Sequence, residues 1–413
     1  MPNDAATPPS RPDRLHHDWH TRLSHAGRAG THAHGFVNPA VHRGSTVLCP
    51  DIATRQAGGA KRLQQALVYG TLGTPTHWPL EDVIAEIEGG TRCQVVSTGV
   101  AAFTVPLLAF LATGDHLLMP DSVYGPARQF ADHFLTRMNV ATTYYDPMLD
   151  AAGLRALLRP NTKVLYLESP GSHTFEVQDV PALAAVARAH GAKVMIDNTW
   201  GLHFFQPFAH GVDVSIQALT KYAAGHSDLV LGAVVTNGDA EWERVRSTTL
   251  LLGQHASPDD CWLALRGTRT LAVRLDRQMQ SGLTVARWLA ARPEVKQVLH
   301  PALPSCPGHE FWRRDFSGAC SLFGVVFRPE FSRPAVHAMV ESLALFGIGA
   351  SWGGFESLVL PTNGFITRTA GTGDFGGETV RLHIGLEEPA DLIADLERGL
   401  GVMRAYVARG EDA

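Results

Sequence analysis

Four chemically different groups follow predicted strands of the sequence. Lys221 comes after the run VSIQALT, Asp197 closes KVMID, and Tyr124 follows HLLMPDSV. Gly99 and Val100 open a helix-like run directly after QVVST. Ligands of open parallel sheets bind outside the carboxyl ends of the strands, so we predict that these residues meet at one edge of a sheet. An amine, a carboxylate, an aromatic ring and a helix N-terminus would then face one ligand.

Each of these residues also has an ordinary structural alternative. An aspartate after a strand is often a turn or cap residue, and a lysine usually lies at the surface. Lys221 has small apolar neighbours in SIQALTKYAAGHSD, and burial there would lower its pKa and make the neutral amine available. Gly99 at a helix start often serves turn geometry alone, but backbone N–H groups at that place also bind phosphate.

Taken together, the groups match the needs of pyridoxal phosphate. That cofactor takes a lysine for its Schiff base, an acid at the pyridine nitrogen, an aromatic face for the ring and a cradle for the phosphate. Lys221 is assigned to the Schiff base, Asp197 to the pyridine nitrogen and Tyr124 to the ring face. The N–H groups of Gly99 and Val100, with the Thr220 hydroxyl, are assigned to the phosphate. The sequence has no GxxxxGK[ST], no GxGxxG after the first strand and no GxSxG, so nucleotide and hydrolase sites lack support.

The elements that must position these residues alternate between strand and helix. TKVLYLES (162–169) and KVMIDNT (193–199) are β-rich apolar runs, and VPALAAVARAHG (180–191) between them has helical spacing. VDVSIQAL (212–219) and LVLGAVVTN (229–237) follow as further strands. This order predicts an α/β fold with a mostly parallel sheet that is covered on both faces.

Changes in pattern divide the chain into three regions. Residues 1–65 are rich in His, Gly, Pro and Thr and are predicted to form an extended N-terminal arm with one short helix. Residues 66–266 carry the strand–helix alternation and the candidate site. Residues 267–413 begin with the amphipathic run LAVRLDRQMQSGLTVARWLAARP and continue with short strands and a closing helix, which predicts a smaller α+β domain.

Composition argues against several classes of protein. The 413-residue chain has a net charge of −5 and no basic stripe, so nucleic acid is not an expected partner. The longest apolar run, 100–112, is too short for a bilayer, and no signal peptide is apparent. Five cysteines without a CxxC pair predict reduced thiols and a cytoplasmic location. Histidines are frequent in the arm, but without an HxxxH pair or a cysteine partner no metal site is expected.

Seven sequence blocks carry a resemblance to a known family. They are YGTLGTPTH, LESPGSHTFEVQDVPA, VMIDNTW, SIQALTKYAAGHSD, HPALPSCPGHEFWRRDFSG, SWGGFESL and RLHIGLE. In these blocks the chain resembles the cysteine/methionine-metabolism family of pyridoxal-phosphate enzymes, and within it the bacterial β-lyases that act on cystathionine. The resemblance runs from about 21–29 to the last helix. It implies an aminotransferase-like (fold type I) large domain, a smaller C-terminal domain and a homotetramer whose active sites are shared between subunits.

The resemblance also carries residue roles over to matching positions. Lys221, Asp197 and Tyr124 match the Schiff-base lysine, the pyridinium partner and the stacking tyrosine. Arg381 matches the arginine that holds the substrate α-carboxylate, for which a bidentate fork is suited. The other implied contacts are Ser351 and Trp352 at the substrate, Tyr69 and Thr71 at the neighbouring subunit's phosphate, and Thr199 at the cofactor. Tyr69 and Tyr124 are also candidates for assisting proton transfer.

Three positions depart from the family pattern. Thr71 stands where relatives commonly have an arginine for the phosphate, and Ala218 stands where Ser-x-Thr-Lys is frequent. Ala350 replaces a frequent Tyr or Glu, which bears on substrate preference. The first two changes predict looser cofactor binding or the help of another basic residue of the arm. The candidates for this help are Arg43, Arg55 and Arg62.

The implied reaction is α,β-elimination of L-cystathionine to homocysteine, pyruvate and ammonia, with other cysteine S-conjugates as further substrates. Trp352 is typical of β-lyases, whereas γ-acting relatives usually have leucine at this position. A γ-lyase, a γ-synthase or a methionine γ-lyase remains the alternative, because most of the motif residues are shared. A non-catalytic cofactor-binding regulator is disfavoured because Arg381 accompanies Lys221, and a scaffold without cofactor is the remaining possibility.

Overall fold

The computed structural model describes residues 17–28, 35–61, 63–371 and 373–409. Most of the proposed arm is therefore visible, and its described part contains two helices where one short helix was predicted. These are α1 (Trp19–His25) and α2 (Ile52–Ala60). Three of the arm's histidines, His16, His32 and His34, and the candidate Arg62 lie outside the described residues.

A seven-stranded sheet forms the centre of the larger part of the molecule. Its strands are β1 (Arg92–Val96), β2 (His116–Pro120), β3 (Ala141–Tyr145), β4 (Thr162–Glu168), β5 (Lys193–Asp197), β6 (Val214–Gln217) and β7 (Gly232–Thr236). The order across the sheet is β1-β7-β6-β5-β4-β2-β3, and β7 is antiparallel to both of its neighbours while the other pairs are parallel. The prediction of a mostly parallel α/β sheet is confirmed. The antiparallel direction of β7 was not predicted.

Helices cover both faces of this sheet. They are α3 (His77–Glu88), α4 (Gly99–Phe110), α5 (Gly125–Gln129), which continues into a π-helical turn at Phe130–Leu135, α6 (Ala151–Leu157), α7 (Val180–His190), α8 (Asp239–Leu251) and α9 (Pro258–Thr268). Helix α7 ends as predicted, because Gly191 adopts a left-handed φ of 86° and its N–H donates to the last carbonyls of the helix. Every residue of β2, β6 and β7 is buried. The polar residues of β6, Ser215 and Gln217, donate hydrogen bonds to the buried Glu88 carboxyl group.

A second, five-stranded sheet forms the C-terminal part. Its order is β10-β11-β12-β9-β8, with β8 (Val295–Leu299), β9 (Leu322–Phe327), β10 (Gly347–Ile348), β11 (Leu358–Pro361) and β12 (Thr379–His383). The helices of this part are α10 (Leu271–Ala290), α11 (His309–Asp315), α12 (Arg333–Ser342) and α13 (Pro389–Ala408). The predicted strands at 321–327 and 378–386 are present as β9 and β12. The domain boundaries at 65 and 266 remain a prediction.

Hydrogen bonds and buried side chains join the two sheets. The Trp200 indole N–H donates to the Leu322 carbonyl at 3.0 Å, and the Tyr222 and Ser321 hydroxyls are 3.2 Å apart. Asp121, at the end of β2, accepts hydrogen bonds from three consecutive backbone N–H groups at 369–371 and forms an ion pair with Arg128. The C-terminal segment is thereby fixed against the carboxyl edge of the large sheet. Within the described ranges, no helix has both the length and the apolarity needed to cross a bilayer.

Candidate active site

A cavity of about 390 Å³ opens at the carboxyl edge of the seven-stranded sheet. Both sheets contribute to its wall, since Asp197 closes β5 while Arg381 lies on β12. Nine of the predicted site residues line it, namely Gly99, Val100, Tyr124, Asp197, Thr199, Thr220, Lys221, Trp352 and Arg381. Residues up to 282 positions apart in sequence therefore face one space, because parallel strands present their carboxyl ends to the same edge.

Lys221 lies in the turn that follows β6, and its side chain points toward the C-terminal part. The Nζ atom donates a hydrogen bond to the Ser351 hydroxyl at 2.8 Å and lies 5.3 Å from the centre of the Trp352 ring. Burial, with a contribution from Arg381, lowers the pKa of Lys221 to about 8, and Asp197 opposes this shift. A substantial fraction of the amine is therefore neutral near physiological pH. The lowered pKa has the direction that the sequence analysis predicted for a buried Lys221.

Two carboxyl groups, the buried Glu168 and the half-buried Asp197, lie side by side at the ends of neighbouring strands. Asp197 of β5 pairs in register with Glu168 of β4. Asp197 Oδ1 accepts from the Thr199 N–H at 3.0 Å and from the Thr199 hydroxyl at 2.6 Å. Burial raises the pKa of Asp197, while the Thr199 hydrogen bonds and Lys221 act in the opposite direction. Thr199 thus orients Asp197 and favours its charged form.

Tyr124 is held at the cavity by its backbone. Its N–H donates to Glu168 Oε2 at 2.7 Å, and the next residue starts α5. Burial, followed by the neighbouring carboxylates of Asp197 and Glu168, raises the pKa of the Tyr124 phenol. The neutral phenol presents an aromatic face to the cavity, together with a hydroxyl that can donate a hydrogen bond.

The start of α4 presents the backbone N–H groups that were predicted to bind the phosphate. The Thr98 hydroxyl accepts from the Ala101 N–H at 2.9 Å, whereas the N–H groups of Gly99 and Val100 belong to the first turn and have no carbonyl acceptor within the helix. A Cβ atom on Gly99 would lie 2.9 Å from the Ala218 Cβ, so a glycine is required for this close approach. Ala218, one of the departures from the family pattern, thus borders the cradle.

The Thr220 hydroxyl is already engaged. It donates to the Leu231 carbonyl at 3.1 Å and accepts from the Leu231 N–H at 3.0 Å. Thr220 lines the cavity, but its proton must turn away from Leu231 before it can reach a phosphate. The predicted phosphate contact therefore requires a rearrangement of this hydroxyl, which the sequence did not indicate.

The opposite wall of the cavity comes from the loop between β10 and β11. Arg381 Nη2 donates to the carbonyl oxygens of Ala350 at 2.6 Å and Ser351 at 3.4 Å, which fixes the orientation of the guanidinium. Burial lowers the pKa of Arg381 to about 10, so the group stays cationic at neutral pH. Trp352 packs against Tyr222 with ring centres 5.4 Å apart. The loop thus places a hydroxyl and an indole beside Lys221, and its carbonyl oxygens orient the Arg381 guanidinium of β12.

Tyr69 and Thr71 are not among the residues that line this cavity. Tyr69 is 47% exposed and forms an isolated β-bridge with Thr46. Arg43, one of the candidates to replace the missing arginine, forms a hydrogen bond of 2.8 Å with Asp259. The described lining residues include neither Arg43 nor Arg55. A role for these residues at the phosphate of a neighbouring subunit remains a prediction.

Two titratable side chains that line the cavity, Glu168 and His173, were not predicted from the sequence. Both lie in the segment LESPGSH, at and just after the end of β4. Glu168 ends a predicted strand, as Asp197 does, so the same rule applied to β4 would have found it. His173 lies five residues beyond the strand end, and sequence alone gives no signal that the chain turns back to the cavity there.

The residues present fit pyridoxal phosphate. The cavity combines a lysine of lowered pKa, a half-buried aspartate at a strand end, an aromatic ring and a helix N-terminus closed by the contact of Gly99 with Ala218. Each of these groups matches a separate part of the cofactor, namely the aldehyde, the ring nitrogen, the ring face and the phosphate.

The fold and this site define a pyridoxal-phosphate enzyme of fold type I. Residues 20–401 match the model of the family described as Cys/Met metabolism PLP-dependent enzyme, and the chain belongs to that family. It is 42% identical to cystathionine beta-lyase MetC of Escherichia coli (92% of this chain and 97% of that protein). It is 41% identical to cystathionine beta-lyase of Haemophilus influenzae (93% of this chain and 98% of that protein).

A solved structure extends the similarity to three dimensions. The structure of cystathionine gamma-lyase from Lactobacillus plantarum, complexed with L-serine, superposes with a TM-score of 0.85 at 27% sequence identity. The match covers 94% of this chain and all of that one. The fold is therefore common to β- and γ-acting members, and the choice between them depends on residues of the site.

Proposed function

We propose that the protein is a carbon–sulfur lyase that acts on L-cystathionine by α,β-elimination. The overall reaction consumes one water and yields homocysteine, pyruvate and ammonia. The observation that carries this proposal is the position of Lys221. Its Nζ donates a hydrogen bond to the Ser351 hydroxyl and lies 5.3 Å from the Trp352 ring centre, in a cavity that Arg381 also lines. The similarity to two cystathionine beta-lyases supports the choice of reaction. Other cysteine S-conjugates belong to the same substrate class.

The residues have distinct tasks in this proposal. Arg381 binds the substrate α-carboxylate through its planar fork. Lys221 holds the cofactor before the substrate arrives and, as a neutral amine, removes the proton from the substrate Cα. Bound pyridoxal phosphate supplies the electron sink that accommodates the negative charge left at Cα. Asp197 provides the counter-charge for a protonated ring nitrogen, and Tyr124 provides the stacking face.

The second half of the reaction needs a proton at sulfur. Breaking the Cβ–S bond releases a thiolate, which takes a proton either from the Lys221 ammonium or from a tyrosine hydroxyl. Tyr124 lines the cavity and keeps its proton because burial raises the pKa of its phenol. The Ser351 hydroxyl, 2.8 Å from Nζ, keeps the Lys221 side chain on the substrate side of the cavity.

We further propose a cytoplasmic homotetramer in which Tyr69 and Thr71 serve the phosphate of a neighbouring subunit. Exposed apolar side chains in and near the arm support an interface between copies, with Phe36 71% and Leu48 91% exposed. The five cysteines are free, and four of them are buried, which suits a reducing compartment.

A product assay tests the proposed reaction. The purified protein, loaded with cofactor, is incubated with L-cystathionine, and the oxo acid and the thiol are identified. We expect pyruvate and homocysteine. Formation of 2-oxobutyrate and cysteine would assign the protein to the γ-acting relatives instead. The Lys221→Ala variant, which lacks the amine for both cofactor attachment and proton removal, serves as the inactive control.

A further inference from the structure

His173 lines the same cavity as Lys221 and Arg381 but has no part in the chemistry described above. It lies in a short loop, residues 171–176, between β4 and α7. Gly171, Ser172, His173 and Phe175 of this loop line the cavity, as Arg381 does. A titratable ring at this place has access to the substrate, so its hydrogen-bonding state decides what it can bind.

The backbone of this loop is fixed in an uncommon conformation. His173 has φ 64°, in the left-handed region that few non-glycine residues adopt. Three hydrogen bonds maintain the loop: Gly171 N–H to the Glu176 carbonyl (2.9 Å), Ser172 N–H to the Ser122 carbonyl (2.8 Å) and Phe175 N–H to the Gly171 carbonyl (3.0 Å). Such a conformation persists where surrounding contacts determine it, and it is frequent at ligand sites.

Side chains of the C-terminal part hold the loop from outside. Arg368 Nη2 donates to the Thr174 hydroxyl at 2.7 Å and to Glu176 Oε1 at 2.5 Å, in a buried ion pair. The Phe365 ring stacks on the His173 imidazole with ring centres 5.8 Å apart and planes 18° apart. The imidazole is thus preorganised, and it loses little further freedom when a ligand binds.

The two ring nitrogens of His173 differ in their surroundings. Nδ1 is buried and has no hydrogen-bond partner among the described residues. A buried N–H without an acceptor is rarer in proteins than an under-satisfied acceptor, so the proton belongs on Nε2. Burial, with a contribution from Arg381, lowers the pKa of His173 to about 3, and the ring is therefore neutral with a single N–H at physiological pH.

The charge of Arg381 acts on the His173 imidazole, and both residues line the cavity. Arg381 lies close enough to influence His173, and its Nη2 is committed to the carbonyl oxygens of Ala350 and Ser351. A ligand bound to the remaining face of the guanidinium is an anion, and a neutral donor beside the cation adds a charge-assisted hydrogen bond to that anion.

We propose that His173 is a specificity-determining residue that donates a hydrogen bond from Nε2 to a carboxylate oxygen of the amino-acid substrate beside Arg381. The proposal rests on the proposed function only in that the substrate is an amino acid. On this proposal, the loop 171–176 makes the site prefer ligands with a carboxylate to ligands with a neutral amide.

The test uses the cofactor-loaded protein and two ligands that have no leaving group at Cβ, glycine and glycinamide. Their dissociation constants are measured by isothermal titration calorimetry for the wild type, His173→Gln and His173→Met. Gln and Met are matched in length and experience the same backbone strain, but only Gln retains an N–H donor that reaches as far as Nε2.

We expect His173→Met to weaken glycine binding about 10-fold and to change glycinamide binding less than about twofold, while His173→Gln stays within about threefold of the wild type for glycine. Equal glycine affinities of the Met and Gln variants, or parallel losses for glycine and glycinamide, would overturn the proposal. Neither ligand can undergo elimination, so the result does not depend on whether pyruvate is formed from cystathionine.

Discussion

At the scale of single residues, the amine of Lys221 is the most informative group of the site. Its ordinary pKa of 10.5 falls to about 8 because the side chain is buried and Arg381 lies nearby. At pH 7 about one tenth of such an amine is neutral, whereas an unperturbed lysine is almost entirely charged. The protein therefore prepares a nucleophile by desolvation, and Asp197 limits the extent of the shift.

This pKa leads to a prediction for the cofactor-free protein. Only the neutral amine attacks the aldehyde of pyridoxal phosphate, so the rate of cofactor capture should rise with pH and reach half of its plateau near pH 8. The rate is measured by stopped-flow absorbance between pH 6 and pH 10, a range of about two units on either side of the midpoint.

Two variants give opposite controls for this prediction. Asp197 raises the pKa of Lys221, so Asp197→Asn should move the midpoint to lower pH. Arg381 lowers the pKa of Lys221, so Arg381→Leu should move the midpoint to higher pH. A midpoint that stays at the same pH in both variants would contradict the electrostatic assignment.

At the scale of structural elements, the site depends on how closely the β10–β11 loop approaches the Lys221 turn. Gly353 has φ 88°, and its N–H donates to His383 Nε2 at 3.1 Å. A Cβ atom at this position would lie 2.6 Å from the Tyr222 backbone nitrogen and 2.9 Å from the Lys221 Cα. A glycine at 353 is therefore required to bring Ser351 and Trp352 to the amine.

We expect Gly353→Ala to lower the free energy of unfolding by at least about 1–3 kcal/mol, because it combines a left-handed φ with a backbone clash. It should also reduce lyase activity, since the loop must move away from Lys221. Thermal unfolding and pyruvate formation check both effects.

Gly401 provides the matched control for that substitution. It lies inside α13, and a Cβ there would meet only the Arg404 side chain, at 3.6 Å. Gly401→Ala should leave activity unchanged and stabilise the protein by up to about 1 kcal/mol through helix propensity. An unchanged unfolding temperature in Gly353→Ala would show that the loop adapts without strain.

At the scale of the whole molecule, the central question is whether one chain makes a complete site. The cavity of a single chain contains Lys221, Asp197 and Arg381 but lacks Tyr69 and Thr71 in its lining. If copies associate symmetrically, the exposed Tyr69 of each copy can complete the site of the other.

Mixing two inactive variants tests this arrangement. Lys221→Ala and Tyr69→Phe chains, refolded together, should recover about a quarter of wild-type activity, because half of the pairs are hybrids and each hybrid has one intact site. Lys221→Ala mixed with Asp197→Asn should recover nothing, since both residues belong to the same chain's cavity. Lack of recovery in the first mixture, with both variants folded and oligomeric, would contradict shared sites.

The local pattern of the sequence was sufficient for most central elements of the fold. Runs rich in apolar and β-branched residues predicted β4, β5, β6 and β7, because strands of a covered parallel sheet are mostly buried. The edge strand β3, with the sequence ATTYY, was not predicted, since its partly exposed residues resemble a loop. The direction of β7 was also not predicted, because strand direction depends on pairing between distant segments.

The sequence by itself determined the chemical groups of the site, namely the lysine, aspartate, tyrosine, arginine and helix start that suit pyridoxal phosphate. Only the tertiary structure decided their states. The hydrogen bond of Lys221 to Ser351, the engagement of the Thr220 hydroxyl by Leu231 and the position of His173 in the same cavity as Arg381 all join segments that are separated along the chain. Residue type fixes which proton can move, whereas burial and neighbouring charges, which arise from packing, fix the pKa and the direction of each hydrogen bond.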